Sequence, residues 1–396
     1  MIRHLLILIW NRKRSNMLLA VEILLCFFVL FAVSSLFLFN VYHYRQPLGF
    51  DYQNVWEINV DPDADTTDFH QQLQLAVQRL KATKGVVGVS KTGRNTPFSF
   101  SSRIGIYFYK GKRMPKNANH DADDELREVL KLNVVEGRWF DKRDAASTRV
   151  PIVINTAFKN AAFPSEKAVG QLFTDEKGEK EWQVVGVVDY RAKDDFAETI
   201  PVSFRRRVLE YDTAQKSTYG AAVFLVRVQP GSGALLEQQL IKEITTVAKG
   251  WSVTVNSLEQ NRALSLKIAV TPLIVLGLVC GFLILSVALG LFGVLWLSIS
   301  KRRGEIGIRR AMGATAGAIG SQMVGEIVVV TTLGVLPGLL VAAQFPLVGA
   351  LDVPAGVYLM AMGLAAALIY GLTVLCALYP SRLAAGIHPA VALREE

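Results

Sequence analysis

Residues suited to catalysis or metal binding are few in this 396-residue sequence, and they do not cluster. His43, His70 and His120 stand far apart, and neither a His-Glu-x-x-His helix nor a cysteine–histidine cluster accompanies them. The Walker A loop, which holds nucleotide phosphates, is also absent from the sequence. We therefore expect no catalytic residue, no metal site and no bound cofactor on this chain, and we do not expect it to be an enzyme.

Two carboxylates stand where a charge is costly, because each is the only charge in a long apolar block. Glu22 lies within residues 17–40, and Glu326 lies within residues 320–345. Carboxylates inside a membrane usually face protein or water and often carry function. Two interpretations stay open for each of them. The carboxylate either bonds to a neighbouring loop or helix, or it extends towards the membrane interface.

These two blocks belong to a set of four apolar stretches that could each cross a bilayer as a helix, which takes about 20 residues. The other two, residues 268–299 and 353–379, contain no charge at all. Apolar residues make up 51% of the chain and charged residues only 19%, which is too apolar for an ordinary soluble protein. The sequence thus predicts a membrane protein with four transmembrane α-helices.

The basic residues around these stretches predict the orientation, because Lys and Arg favour the cytosolic side of short loops. The short loop at residues 346–352 has none. With four spans, the eleven basic residues outside residues 41–267 all fall on the other side: Arg3, Arg12, Lys13, Arg14, Lys301, Arg302, Arg303, Arg309, Arg310, Arg382 and Arg394. Both termini are therefore expected in the cytosol. The net charge of +9 largely follows from this topology, and we expect no nucleic-acid partner.

The predicted domain order follows from the spans. It comprises a cytosolic interfacial helix (1–16), transmembrane helix 1 (17–40), an extracytoplasmic α+β domain (41–263), a stalk with transmembrane helix 2 (264–300), a cytosolic coupling loop or helix (301–319), transmembrane helix 3 (320–345), a short outer loop (346–352), transmembrane helix 4 (353–380) and a cytosolic tail (381–396).

Strand and helix patterns alternate in residues 41–263, which have the composition of a soluble domain. A helix is predicted from residue 65 or 66 to about residue 84, with Phe69, Leu73, Ala76 and Leu80 on one face. Alternation predicts strands at residues 55–60, 86–90, 104–109, 151–155, 182–188, 223–228 and 251–255. We expect two lobes, with loops at residues 111–125 and 189–218. The run Arg205-Arg206-Arg207 is interpreted as a solvated surface.

The loop between the second and third spans has a pattern that topology alone does not explain. A generic cytosolic loop accounts for its basic residues, but not for its glycines or its embedded Glu-Ile-Gly-Ile. Glu305 and Arg309 are four residues apart and are expected to pair on a short helix, with Ile306, Ile308 and Met312 along one side. The stretch reads Lys301-Arg302-Arg303-Gly304-Glu305-Ile306-Gly307-Ile308-Arg309-Arg310-Ala311-Met312-Gly313-Ala314.

This loop resembles the cytosolic coupling segment of the MacB/FtsX-like ABC permeases. Further stretches resemble that family in the same order and cover nearly the whole chain. They are Glu136-Gly137-Arg138-Trp139-Phe140, Val153-Ile154-Asn155, Gly170, Val185-Gly186-Val187-Val188-Asp189, Glu326 with Gly334 and Gly338, Tyr379-Pro380-Ser381-Arg382 and His388-Pro389-Ala390. The chain departs from the pattern at Trp139, where Phe or Tyr is usual, and at Leu383 and Ala384, where a second basic residue is common.

The resemblance implies a permease subunit in a bacterial inner membrane, with residues 41–263 forming a periplasmic core domain. The ATPase domain fused to some members is missing, which implies a separate cytosolic ATPase chain that holds ATP and Mg²⁺. A second permease chain, identical or paralogous, and membrane lipids are further implied partners, and a periplasmic adaptor is another candidate. The residues implied to contact the ATPase are Glu305, Ile306, Gly307, Arg309, Arg310 and Gly313.

The implied mechanism is mechanical. ATP-driven movement of the ATPases would reach the outer domain through the second span, and a peptide, lipid, lipoprotein or drug-like cargo would be exported. The uncharged spans favour this interpretation over a hydrated pore. Small residues four apart, at Gly277 and Gly281 and at Gly334 and Gly338, predict close helix packing. The alternative is a membrane-anchored sensor whose outer domain binds a ligand or activates a periplasmic partner.

Overall fold

The structure is a computed structural model and describes residues 13–62, 69–114, 116–174, 178, 180–191, 193–196, 199–207, 222–350 and 353–385. The chain forms two compact units. One unit is residues 1–42 with 270–396, called the membrane unit here, and the other is residues 43–269, called the outer unit after its predicted position. Most of the predicted interfacial helix at residues 1–16, and the predicted tail from residue 386 onward, lie outside the described residues.

The elements are numbered here in chain order. The helices are α1 (Lys13–Tyr44), α2 (Phe69–Ala82), α3 (Leu126–Leu130), α4 (Thr156–Ala162), α5 (Ala234–Val247), α6 (Leu258–Lys301), α7 (Arg303–Ala311), α8 (Ala316–Ala342), α9 (Gln344–Val348) and α10 (Ala355–Ala385). The strands are β1 (Val55–Asp61), β2 (Val86–Thr92), β3 (Ile104–Gly105), β4 (Phe108–Tyr109), β5 (Lys112–Arg113), β6 (Asn117–Ala122), β7 (Val134–Gly137), β8 (Val150–Asn155), β9 (Leu172–Thr174), β10 (Glu181–Val188), β11 (Val202–Arg206), β12 (Ala222–Val228) and β13 (Ser252–Ser257).

The membrane unit is built from long apolar helices. Within the described residues, four segments are long and apolar enough to cross a membrane: Met17–Tyr44, Leu258–Lys301, Ala316–Val348 and Ala355–Leu383. Side chains from α1, α6, α8 and α10 form one apolar cluster, in which Phe27 and Leu291 are fully buried. Helix α8 begins at Ala316, ahead of the predicted span at residues 320–345, and Thr315 caps it: Thr315 Oγ1 accepts a hydrogen bond from the Ala318 amide at 3.2 Å.

The outer unit contains one mixed sheet. Its strand order is β13–β1–β12–β2–β6–β11–β8–β10–β9–β4–β5, with β3 paired to β6 and β7 paired to β10. The first lobe is made of two interleaved strand–helix–strand units, β1–α2–β2 and β12–α5–β13, whose neighbouring strands are all antiparallel. The predicted face of α2 is buried against this sheet at Leu73, Ala76 and Leu80.

The second lobe lies between β2 and β12 in the chain, and a single residue pair, Thr92 with Ala122, joins its strands to β2. Two of its strands replace predicted loops: β6 falls within residues 111–125 and β11 within residues 189–218, and the two are parallel neighbours. The loop prediction is wrong there because β6 is polar in sequence, and a polar stretch reads as a loop unless its strand partners are known. Its Asn119 side chain lies within hydrogen-bonding distance of Ser203 Oγ, at 2.5 Å, and of Tyr107 OH, at 3.1 Å.

The run Arg205–Arg207 is not the solvated surface that the sequence suggests. Arg205 Nε donates to Tyr107 OH at 2.9 Å, and its guanidinium lies 5.5 Å from the Trp182 ring centre. Arg206 makes a two-pronged bond to Asp124, at 2.7 and 2.8 Å. These arginines therefore hold the second lobe together instead of forming a free basic patch.

Candidate coupling site

Helix α7 is the short helix that the loop pattern predicts, and it lies between the end of α6 and the start of α8. Its first internal bond runs from the Ile306 amide to the Arg302 carbonyl at 2.9 Å. It ends at Ala311, and Gly313, two residues further on, has a φ of +95°, in the left-handed region that favours glycine. The Gly313 and Ala314 amides then bond back to the carbonyls of Arg310 and Arg309, at 3.1 and 3.0 Å. The glycine thus lets the chain turn sharply into α8.

One apolar side chain anchors α7 to its neighbours. Ile306 is only 4% exposed and packs in a small cluster with Ile299 of α6 and with Ile319 and Met323 of α8. Its neighbour Gly307 is also buried. These contacts fix α7 to the cytosolic ends predicted for two membrane helices, so α7 and those helix ends form one packed structure.

A continuous chain of polar contacts reinforces this anchor. Glu305 Oε1 accepts from Arg309 at 2.5 Å, which is the pairing that the four-residue spacing predicts. Arg309 also donates to Gln322 Oε1 at 2.9 Å, and Gln322 Nε2 donates to Glu326 at 3.2 Å. Glu326 completes the chain by accepting from Arg302 at 2.9 and 3.0 Å. The polar chain therefore runs from the exposed side of α7 into the apolar body of α8.

The six residues predicted to contact an ATPase differ in their exposure. Ile306 and Gly307 are buried within the chain, whereas Glu305 and Gly313 are exposed. Arg309 and Arg310 are half-buried. The exposed side of the site also carries two apolar residues, Ile308 at 47% and Met312 at 76% exposure. Ile306 thus points away from Ile308 and Met312, so the single apolar side that the sequence suggested is divided between two faces.

The two carboxylates of the apolar blocks differ in their surroundings. Glu326 is paired with Arg302, and the side chains of the two are only 14% and 10% exposed. Glu22 has no ion pair with a described residue, and its oxygens lie against the backbone of Gly290 of α6. A Cβ added at Gly290 would lie 3.0 Å from one of these oxygens. Of the two interpretations, bonding to a neighbouring loop therefore describes Glu326 in this structure.

The four predicted packing glycines also divide into two pairs. A Cβ added at Gly334 would lie 2.7 Å from the Ala20 carbonyl oxygen, and one at Gly338 would lie 2.5 Å from a ring carbon of Phe27. The backbone of α8 therefore lies directly against α1. Added Cβ atoms at Gly277 and Gly281 of α6 would meet nothing within 4 Å in the described residues.

Two of the family-like motifs of the outer unit, Glu136–Phe140 and Val185–Asp189, meet each other across the β7–β10 ladder. Gly137 is opposite Gly186, and a Cβ at Gly186 would lie 2.1 Å from the Arg138 carbonyl oxygen. Arg138 forms a two-pronged bond with Asp144 at 2.6 and 2.7 Å, which raises the pKa of Arg138. These contacts make the motifs structural. Within the described residues, no group of His, Cys, Asp and Glu is arranged to hold a metal ion.

Comparison with known proteins identifies the family. Residues 24–246 match the MacB-like periplasmic core domain, and residues 263–389 match the FtsX-like permease C-terminal domain. The first match covers more than half of the chain. The chain belongs to the family of MacB-like ABC transporter permeases. The predicted fold class, four membrane helices with an α+β domain inserted after the first, is confirmed for this permease.

Individual relatives of the permease are distant. It is 26% identical to the macrolide export ATP-binding/permease protein MacB 1/2 of Paracoccus denitrificans, over 57% of this chain and 33% of that protein. It is 25% identical to an uncharacterized ABC transporter permease, YvrN, of Bacillus subtilis, over 70% of both chains. The periplasmic region of MacB from Actinobacillus actinomycetemcomitans aligns at 14% identity and a TM-score of 0.39, over 55% of this chain and 94% of that one. The permease thus spans about a third of the MacB protein that it matches.

Sequence reasoning missed two members of the polar chain, Arg302 and Gln322. The sequence pattern marks Arg302 as one of several basic residues of the loop and gives it no individual role, and it does not single out Gln322. A signal for Gln322 was present, because it lies four residues before Glu326 on the same face of α8. The sequence gives no comparable signal for Arg302, because its contact depends on how the chain turns between α6 and α7.

Proposed function

We propose that this permease couples ATP hydrolysis by a separate cytosolic ATPase to movement of its outer unit, and that α7 is the element that contacts the ATPase. The observation that carries the proposal is the polar chain from Glu305 to Arg302, with Ile306 packed beneath it. A short helix that is packed against α6 and α8 on one side and exposed on the other can be displaced by a partner, and the ends of α6 and α8 would then move with it. The family membership supports the ATPase partner.

In this proposal the six predicted contact residues have two different roles. Glu305, Arg309, Arg310 and Gly313 meet the ATPase together with the exposed Ile308 and Met312. A charged helix face with two apolar side chains suits a groove on a partner protein. Ile306 and Gly307 act indirectly, because their burial keeps α7 against α6 and α8.

We further propose that both termini and α7 are cytosolic in a bacterial inner membrane and that the outer unit is periplasmic. The one-sided distribution of basic residues supports this orientation. Cysteines introduced at residues 110 and 200 should react with a membrane-impermeant reagent from the periplasmic side, and cysteines at 305 should react only from the cytosolic side. Labelling of residue 200 from the cytosolic side alone would contradict the orientation.

The cargo class remains as broad as a peptide, a lipid, a lipoprotein or a drug-like molecule. Two relatives are named for macrolide export and pyoverdine export, and both names support export in the proposal without choosing a cargo. Because the four spans carry so few polar groups, we propose that cargo is handled by the outer unit, at or above the outer leaflet.

The decisive experiment is charge exchange within the Glu305–Arg309 pair. Glu305→Arg and Arg309→Glu each break the pair, while the double variant restores it with reversed direction. If the pair only stabilises α7, the double variant should regain wild-type co-purification with the ATPase and wild-type ATP hydrolysis. If Glu305 and Arg309 meet the ATPase, as proposed, all three variants should lose both.

A matched control uses the Lys110–Glu166 pair, which is similarly exposed and lies in the outer unit. Lys110→Glu should leave ATPase assembly unchanged. Wild-type assembly in the single Glu305 and Arg309 variants would refute the coupling role. Failure of the wild-type chain to bind any ATPase encoded beside it would favour the sensor alternative.

A further inference from the structure

The segment that follows β10 contacts the outer ends of two membrane helices. It comprises residues 189–191 and 193–196, and is called the clasp here. The last two residues of α1, His43 and Tyr44, and the first turns of α6, up to Ala269, belong to the outer unit together with the clasp. The clasp therefore lies where the chain enters and leaves the outer unit.

On the α1 side, the clasp caps the helix through Arg191, which is 8% exposed. Its guanidinium donates to the His43 carbonyl at 3.3 Å and to the Pro47 carbonyl at 3.0 Å. The carbonyls at a helix C-terminus lack partners within the helix, and a cation there is favourable. The backbone follows the same path, because the Arg191 amide bonds to the Leu48 carbonyl at 2.9 Å.

On the α6 side, the contact is an ion pair between Asp195 of the clasp and Arg262. Both carboxylate oxygens accept from the guanidinium at 2.9 Å, and the Asp195 side chain is only 4% exposed. The guanidinium also donates to Tyr52 OH and lies 4.7 Å from the centre of that ring. The clasp also contacts the end of α1 here, because Tyr44 of α1 stacks on Phe196 of the clasp with ring centres 6.0 Å apart. The two-pronged Asp195–Arg262 pair, whose carboxylate is buried, fixes orientation as well as distance.

The clasp is also held by the body of the outer unit. The Phe98 amide bonds to the Lys193 carbonyl at 2.7 Å. The Lys193 ammonium donates to the carbonyls of Ser99 and Ser101 at 2.9 and 3.0 Å. One short segment thus joins the end of α1, the start of α6 and the second lobe of the sheet.

We propose that the clasp is the transmission joint of this permease and that Asp195 and Arg262 are its positioning residues. The inference rests on the proposed function, since it assumes that movement reaches the outer unit through α6. When α6 moves relative to α1, the Asp195–Arg262 pair makes the clasp and the second lobe move with it. Without the pair, movement of α6 no longer displaces the clasp or the second lobe of the sheet.

The test uses the full chain co-purified with its ATPase in lipid nanodiscs. Hydrogen exchange is measured in the outer unit with and without Mg-ATP trapped by vanadate, and ATP hydrolysis is measured in parallel. The variants are Asp195→Asn, Arg262→Lys and the double variant Asp195→Asn with Arg262→Gln. The double variant removes both charges, and so leaves no unpaired buried charge that could prevent folding. Arg149→Gln, in an exposed pair of the same unit, is the matched control.

The expected result is that the variants assemble with the ATPase and hydrolyse ATP, but lose the nucleotide-dependent change in exchange in β6 and β11. Exchange in residues 258–269 should rise about ten-fold in both nucleotide states, as expected when a charged hydrogen bond is removed. A nucleotide-dependent change that persists in all three variants would overturn the inference, because the pair would then be only structural. A wild-type complex without ATP hydrolysis or nucleotide-dependent exchange would refute the proposed function instead.

Discussion

The two ends of α6 are fastened by the same chemistry in different surroundings. At its first end, in the outer unit, Arg262 pairs with Asp195, and directly after its last residue, Arg302 pairs with Glu326. Between Lys267 and Lys301 the helix has no charge. Its most apolar window is only 11% buried in the described residues, a smaller share than in the other three spans. The helix is thus held by ion pairs at its ends, and between them only a few of its side chains, such as Leu291 and Leu295, are buried against the described residues.

The difference between the two pairs lies in what they connect. The Arg302–Glu326 pair belongs to a polar chain that ends on the half-buried Arg309 and the exposed Glu305, so the end of the chain is open to a partner. The Asp195–Arg262 pair connects elements of the outer unit to each other, and its carboxylate is almost fully buried. In the proposed mechanism, the cytosolic end receives a force and the outer end distributes it. A helix fastened in this way suits transmission better than pore formation.

Breaking the Arg302–Glu326 pair should have the largest effect. Glu326→Leu leaves the Arg302 guanidinium without a counter-charge at 10% exposure, and losing one partner of such a pair costs about 3–5 kcal/mol. We expect a lower melting temperature of the full chain in detergent and loss of ATPase co-purification. Glu326→Gln, which can still accept a bond from Arg302, should have a smaller effect.

Two controls separate the pair from its surroundings. Glu326→Leu with Arg302→Met removes both charges and should recover most of the stability, because no buried charge is left unpaired. Glu22→Gln should be mild, since Glu22 has no ion pair with a described residue. An equal loss for Glu22→Gln and Glu326→Leu would mean that the arginine contact is unimportant.

Acid should weaken the outer unit through His120, a buried histidine of its sheet. Burial lowers the pKa of His120, in β6, to about 4 from an ordinary value of 6.5. The unfolded chain therefore binds a proton between these pH values and the folded chain does not, so this residue makes stability fall as the pH drops from 6.5 to 4. The expected loss is about 3 kcal/mol. Lys193 lies near enough to favour the neutral ring further, whereas Asp121 opposes it.

The measurement compares the wild type with His120→Phe, which keeps an aromatic ring stacked on Phe204. Melting of the full chain is followed by tryptophan fluorescence from pH 4 to 7. Burial raises the pKa of Asp123 to about 7, so this residue makes the stability fall as the pH rises, which is opposite to the effect of His120. Asp123 is present in both proteins, so its contribution cancels when their stabilities are subtracted. A difference that does not change with pH would contradict the assignment.

The sequence predicted the parts of the fold that have strong local patterns. The four spans, the amphipathic face of α2 and the short helix α7 all follow from the spacing of apolar residues and charges. The Glu305–Arg309 bond was predictable for the same reason, because a helix brings residues four apart together.

The parts that could not be predicted depend on distant contacts. Strand β6 is polar, and its place in the sheet is decided by partners in β11 that lie far along the chain. Arg206 reads as a surface charge until Asp124 is known to face it. Arg302 and Asp195 were missed for the same reason. Each acquires a role only when a second chain segment comes beside it.

Substitution of glycines should have different effects in α8, which is packed closely against α1, and at Gly277 of α6, which faces no described atom. Gly334→Ala in α8 forces a Cβ to within 2.7 Å of the Ala20 backbone oxygen, and overpacking of this kind costs typically about 1–3 kcal/mol. Gly277→Ala in α6 meets no described atom within 4 Å and should not lower the stability of the chain. Both are measured by thermal unfolding in detergent. If Gly277→Leu instead lowers the fraction of paired chains in cross-linking, then this face of α6 packs against a second permease chain.

The smallest effect on stability is expected for the exposed part of the polar chain. Glu305 and Arg309 have side chains 48% and 36% exposed, and exposed pairs contribute at most about 1 kcal/mol because water screens them. Glu305→Gln should therefore leave the melting temperature of the full chain almost unchanged, while lowering its affinity for the ATPase in a titration monitored by ATP hydrolysis. This is the reverse of the Glu326→Leu result, in which stability and assembly fall together. If Glu305→Gln were to lower the melting temperature as much as Glu326→Leu, α7 would be only a structural support for the membrane unit. An unchanged melting temperature with weaker ATPase binding would make its exposed face the surface that receives the force.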